Sequence, residues 1–159
     1  MKNTEFIFSP EVKKIIDLWR TEPGGLIMIL HKIQELYGNI PKEAINLLAK
    51  NLNISIAKIY GVITFYHFYH TEQSAKFIIH MCKDMPCKMQ EAAVLAAKLE
   101  QELGIKFGET TSDGMFTLEW ASCIGMCDQG PAMLINFQPY TKVKPEEVRA
   151  ILEQCKKEL

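Results

Sequence analysis

The chain has 159 residues, 48% of them hydrophobic and 23% charged, with a formal net charge of −1 at pH 7. That length holds one ordinary domain or two small ones, and the composition is that of a globular protein. No run approaches the ~18 apolar residues of a membrane span, and the near-zero charge supplies no global field towards nucleic acid or an anionic membrane surface. No partnership with either is therefore expected.

The first half reads as helices. Ser9-Pro10-Glu11 supplies an N-cap, a first-turn proline and an early acid, and Val12, Ile15, Ile16 and Trp19 follow on one face. Leu26, Ile29, Leu30, Ile33 and Leu36 repeat the helical period and stop at Gly38. Pro41 opens a third helix through Ala44, Ile45, Leu47 and Leu48. A fourth is predicted from near Ile56 into an aromatic segment, Tyr60, Phe65, Tyr66, Phe68 and Tyr69. At helical spacing most of these rings read as core, and some as a partner-binding surface.

Between Thr71 and Ala75 the character changes. Phe77 to Met81 is a short apolar run that predicts a buried strand ending at Cys82. Lys88 to Leu103 predicts a helix stopped by Gly104. Strands follow over Phe116–Trp120 and Ala132–Asn136, with a short fourth over Tyr140–Val143 and a last helix opened by Pro145-Glu-Glu147. The expected architecture is α+β: an N-terminal helical domain over residues 1–75 and an α/β domain over residues 76–159.

Four of the five cysteines form two tight pairs, Cys82-Lys-Asp-Met-Pro-Cys87 and Cys123-Ile-Gly-Met-Cys127, both on loops at strand ends. Each pair can chelate from one loop while the fold brings the loops together. The opening Met-Lys-Asn-Thr-Glu-Phe has no apolar stretch of a secretory signal, which predicts a cytoplasmic, reducing location where such spacing serves metal or catalysis rather than disulfides. Thiol exchange of the thioredoxin type wants C-x-x-C, and neither pair has it. Zinc accepts these spacings, and so does an iron–sulfur centre. The apolar Met85, Ile124 and Met126 in the loops, and a core large enough to fold without a structural metal, favour iron–sulfur. Gly125, Gly130 and Pro131 flank the second pair, where glycine lets backbone N–H groups approach sulfur. Cys155 continues the stripe of Val148, Ile151 and Leu152, which makes it packing.

With these motifs in view, the chain resembles the thioredoxin-fold [2Fe–2S] subunit that accompanies the NADH-oxidising flavoprotein of respiratory complex I, with relatives in soluble NAD(P)-linked hydrogenases and formate dehydrogenases. The resemblance runs from about Leu26 to the C-terminus. It rests on Gly61-Val-Ile-Thr-Phe-Tyr66, Cys82-x4-Cys87, Gly108-Glu-Thr-Thr-Ser-Asp-Gly114 with Phe116-Thr-Leu118, and Cys123-x3-Cys127. It implies a thioredoxin-like C-terminal domain and one [2Fe–2S] cluster held by Cys82, Cys87, Cys123 and Cys127, each pair on one iron. It also implies an N-terminal helical domain docked on a flavoprotein that carries FMN and binds NAD(P)H, and a larger iron–sulfur hydrogenase or dehydrogenase subunit in the same assembly. Cys123-Ile-Gly-Met-Cys-Asp-Gln-Gly-Pro131 looks more like the soluble anaerobic enzymes, electron-bifurcating ones among them, than the respiratory complex. Lys83-Asp-Met-Pro86 departs from the small polar residues common at that loop, which bears on the cluster's potential rather than its presence.

The chain shows no GxGxxG or P-loop among its nine glycines. NADH gives up a hydride whereas a [2Fe–2S] centre moves single electrons, so a flavin on a partner has to split the pair. An electron-transfer subunit without catalytic residues of its own is the expectation. His67, His70 and His80 read as structural or surface residues, although Rieske centres use two histidines. Two other classes compete. Lys42 to Asn53 and the next helix read as a helix-turn-helix of an iron–sulfur regulator, but residues 1–75 hold eight Lys/Arg against seven Asp/Glu. The candidate recognition helix offers phosphate only Lys58, too little for DNA affinity. The other rival is a zinc-stabilised adaptor.

Overall fold

A computed structural model describes residues 9–72 and 75–157. The opening Met1–Phe6 and part of the Thr71–Ala75 transition lie outside the described residues. The backbone gathers into two compact units, Met1–Gln73 and Ser74–Leu159.

The described residues of the first unit form four helices, α1 (Pro10–Trp19), α2 (Gly25–Tyr37), α3 (Lys42–Leu52) and α4 (Ile56–Phe65). The Ser9 hydroxyl accepts from the Val12 amide and caps α1, and Ser55 caps α4 through the Lys58 amide. Gly38 ends α2 in the left-handed conformation at φ +75°, which a residue with a Cβ resists. Val12, Ile16, Ile29, Leu30, Ile33, Ile45, Leu48, Ile59 and Ile63 make the core. The turn into α2 is tight. A Cβ on Gly25 would stand 1.9 Å from the Trp19 carbonyl oxygen. Gly25→Ala is therefore expected to destabilise this unit by about 1–3 kcal/mol, in the range of overpacking. A lowered urea midpoint at unchanged slope is the readout.

The sequence predicts α4 as running to Tyr69, but it ends at Phe65, with Tyr66 extended at φ −96°, ψ 105°. The cause is long-range. The buried Gln34 side chain donates to the Phe68 carbonyl and accepts from the His70 amide at 2.8 Å. The Ile40 amide also donates to the His70 carbonyl at 2.7 Å. These bonds satisfy the 68–70 backbone outside a helix. Ile59 and Ile63 are buried, but Phe65 and Tyr66 are exposed. The core reading thus fails for those two rings.

The second unit carries a four-stranded sheet in the order β2-β1-β3-β4. Its strands are β1 (Phe77–Cys82), β2 (Phe116–Ala121), β3 (Ala132–Ile135) and β4 (Gln138–Thr141). β1 and β2 are parallel, which requires the crossover that α5 (Met85–Lys88) and α6 (Ala92–Leu103) supply. β1–β3 and β3–β4 are antiparallel. β1 is buried along its whole length, as its uninterrupted apolar run predicts. Ile79, Met81, Phe116, Leu118 and Met133 of the sheet pack with Leu95 and Leu99 of α6 and with Val148, Leu152 and Cys155 of α7 (Val148–Lys157). Cys155 is core, as its place in the helical stripe requires.

Two boundaries differ from the sequence reading. The helix predicted from Lys88 to Leu103 is two helices, broken at Glu91, which sits in the left-handed region at φ +62°. The fourth strand lies two residues earlier than predicted, at Gln138–Thr141, because Ile135 pairs with Gln138 and closes the hairpin tightly. No helix among the described residues is long and apolar enough to cross a membrane.

Candidate metal centre

The parallel pairing of β1 and β2 fixes where the cysteines emerge. Cys82 is the last residue of β1 and lies in register with Ala121, the last of β2. The Lys83 amide continues the ladder by donating to the Ala121 carbonyl at 3.0 Å. Both strands therefore release their loops at the same carboxyl edge of the sheet, where α/β folds place ligand sites. After β1 the chain turns into α5, which carries Cys87. Two residues after β2 comes Cys123, and a 3-10 turn over Cys127–Gln129 presents the fourth thiol.

The pairs differ in exposure. Cys82 and Cys87 are buried, at 1% and 2%, whereas Cys123 and Cys127 are exposed. The Cys123 and Cys127 sulfurs stand 3.1 Å apart, well beyond the ~2.05 Å of a disulfide. The Gly125 amide donates to Cys123 Sγ at 3.4 Å. Gly125 reaches that orientation at φ +84°, a conformation glycine adopts without a Cβ penalty.

The thiols act on one another. Cys127 is pushed up to about 11, first by its hydrogen bond with Cys123, then by partial desolvation and by the charges of Cys123, Cys87 and Cys82. Cys87 is raised by burial first and by the Cys82 thiol next, with Cys123 adding to it and the Ala132 backbone opposing. Neighbouring thiols thus hold Cys87 and Cys127 back from ionising, and a cation beside them favours the thiolate form. Such a donor set fits a thiolate-bound metal centre.

Contacts that the sequence did not reveal join the two loops. Asp84 Oδ2 accepts from the Cys123 amide at 2.8 Å. Gln90 Nε2 donates to the Pro86 carbonyl at 3.0 Å and to the Cys127 carbonyl at 3.1 Å. Asp84 alone would be read as an N-cap and Gln90 as a surface helix residue, so nothing local announces either bridge. Of the histidines, His67 is exposed, and His80 is buried on β1 with Nε2 3.3 Å from Glu119 Oε2 on β2.

A thioredoxin-like α/β domain that releases two cysteine pairs from one edge of its sheet defines the class of fold. The family described as thioredoxin-like [2Fe–2S] ferredoxin matches residues 12–156, and the chain belongs to it. It is 36% identical over 145 residues to the alpha polypeptide of the NAD-reducing hydrogenase HoxS of Cupriavidus necator, covering 91% of this chain but 24% of that one. It is 32% identical to an NADH-quinone oxidoreductase subunit of Aquifex aeolicus, covering 97% of this chain and 99% of that one. To the HndA polypeptide of the NADP-reducing hydrogenase of Solidesulfovibrio fructosivorans it is 29% identical, over 91% and 84% of the two chains. Among solved structures, an air-oxidised NAD+-reducing [NiFe]-hydrogenase superposes with a TM-score of 0.71 at 26% identity, over 88% of this chain and 24% of that one. The chain thus spans about a quarter of the length of the longer hydrogenase polypeptides it matches.

Proposed function

We infer that this chain is an electron-transfer subunit that holds one [2Fe–2S] cluster on Cys82, Cys87, Cys123 and Cys127, beside an FMN-containing, NAD(P)H-oxidising subunit. The observation that carries the reading is the two thiol pairs released from the ends of adjacent parallel strands, in a chain of the [2Fe–2S] family. A bound cluster supplies one-electron storage at a potential set by its surroundings. The protein's part is to hold it: Cys82 and Cys87 from the buried side, Cys123 and Cys127 from the solvent side, with the Gly125 amide directed at sulfur. The exposed side of the site leaves an approach for a partner's redox group.

The host assembly we infer is a cytoplasmic NAD(P)-linked hydrogenase or formate dehydrogenase with a larger iron–sulfur subunit. The matches to hydrogenase polypeptides support it. A second reading, membership of a respiratory NADH:quinone oxidoreductase, is supported by the end-to-end match to the Aquifex protein. Residues 1–75 are proposed as a helical docking domain and residues 76–159 as the cluster domain. Two relatives are named as parts of NAD- or NADP-reducing hydrogenases, which supports a nicotinamide-linked partner for this chain.

The test is the chain purified without oxygen. About two irons and two sulfides per chain, with a paramagnetic signal only after dithionite, are expected. So is the absence of NADH-driven dye reduction without a flavoprotein. A colourless chain with one zinc would sink the cluster, and dye reduction by the flavin-free chain would sink the division of labour.

A further inference from the structure

The two cysteine loops come from distant parts of the chain, yet the spacing between the pairs has to be right for a two-metal centre. Two side chains bridge them. Asp84 occupies the N-cap position of α5 but makes no capping bond to that helix. An aspartate at an N-cap ordinarily accepts from its own helix's second or third amide. Here the carboxylate reaches 39 residues along the chain and accepts from the Cys123 amide at 2.8 Å.

Gln90 is the matching bridge from the other end of α5. Its amide nitrogen has two protons, and the structure gives each an acceptor. One is the Pro86 carbonyl of its own turn at 3.0 Å, the other the Cys127 carbonyl of the opposite loop at 3.1 Å. Gly130 makes room for it, since a Cβ there would lie 2.8 Å from Gln90 Nε2. Asp84 therefore fixes the start of the second cysteine pair and Gln90 its end, both from beside the helix that carries Cys87.

We propose that Asp84 and Gln90 are positioning residues that clamp the two cysteine loops in cluster-binding register, and that the Asp84 carboxylate also lowers the cluster's reduction potential. The proposal rests on the cluster assignment above. The potential follows from charge: reduction adds an electron, and a fixed negative group beside Cys123 disfavours it. Gln90 is neutral, so its bridge bears on retention of the cluster rather than on potential. The roles are separable by substitution. Asp84→Asn keeps a side-chain oxygen for the Cys123 amide and removes the charge, whereas Asp84→Ala removes both. Gly130→Ala displaces the Gln90 amide without altering Gln90.

The experiment uses the full chain loaded anaerobically with iron and sulfide. It reads iron per chain, the half-life of the visible spectrum under a chelator, and the midpoint potential by dye-mediated titration. Asp84→Asn is expected to retain about two irons and to raise the midpoint. Asp84→Ala raises it too and shortens the half-life roughly tenfold, the size of effect typical of outer-shell partners. Gln90→Ala and Gly130→Ala shorten the half-life with the midpoint at its original value. An unchanged midpoint in Asp84→Asn overturns the electrostatic role, and unchanged half-lives in Asp84→Ala and Gln90→Ala overturn the clamp. Exchange of the Cys123 amide in the metal-free chain gives an independent reading. Slow exchange that speeds up in Asp84→Ala supports the bridge, and equal rates refute it. If the original chain takes up no iron and sulfide, the cluster assignment fails, and the amide still decides whether Asp84 bridges the loops.

Discussion

Cys127→Ser is expected to abolish the stable cluster, cutting iron and sulfide from about two per chain to well under one and removing the signal of the dithionite-reduced protein. A serine hydroxyl is a harder ligand and far less acidic than a thiol, and soft thiolate donors select iron–sulfur centres. Cys127 is the cleanest of the four positions for the test. It is exposed, on a short 3-10 turn, and belongs to no core cluster. The far-UV spectrum should therefore stay that of the parent chain. Cys82→Ser and Cys87→Ser should also lose the cluster, but each buries a hydroxyl at a site 1% or 2% exposed. That adds a folding cost of about 1–3 kcal/mol if the hydroxyl finds no partner. Cys155→Ser is the control. It disturbs the core around Val148 and Leu152 while keeping both irons. A Cys127→Ser chain with a full complement of iron and an unaltered spectrum would remove Cys127 from the ligand set.

What the sequence disclosed and what it hid divide along the range of the interactions. β1 was legible because a strand buried along its length must be apolar throughout, and Phe77 to Cys82 is broken only by His80. Helix α1 was legible because its cap, its proline and its apolar face are all local. The true end of α4 was not, because Gln34, a residue of α2, satisfies the 68–70 backbone from 34 and 36 positions away. The break at Glu91 escaped for a related reason. Ala92, Leu95 and Leu99 keep the helical period beyond it, while the left-handed φ of Glu91 is set by the turn that aims Gln90 at the second loop. The cysteine pairs stood out through spacing alone. Their convergence depends on the β1–β2 register, a long-range fact that periodicity does not encode. Asp84 and Gln90 went unseen because a bond between side chain and backbone across 37 to 39 residues leaves no local pattern.

A paired core substitution tests whether the two units behave as the separate docking and cluster domains proposed for residues 1–75 and 76–159. Leu118 is fully buried in β2, paired with Ile79 of β1, and β2 leads within five residues to Cys123. Leu118→Ala should cost about 2–5 kcal/mol, the usual range for a truncated core leucine, and should let the strand ends that set the cysteine register move. Faster loss of the cluster under a chelator is the expected companion of the lowered unfolding midpoint. Ile33 is equally buried, but in the helical core of the first unit beside Leu30 and Ile45. Ile33→Ala should cost that unit a similar ~2–5 kcal/mol, with iron content and cluster half-life at their parent values. Following helicity and visible absorbance in the same denaturant series separates the two effects, because helices report on both units and the cluster only on the second. If Ile33→Ala and Leu118→Ala shorten the cluster half-life equally, in one shared transition, the two units unfold as a single cooperative body. The helical part would then act as scaffold for the centre as well as its proposed docking surface.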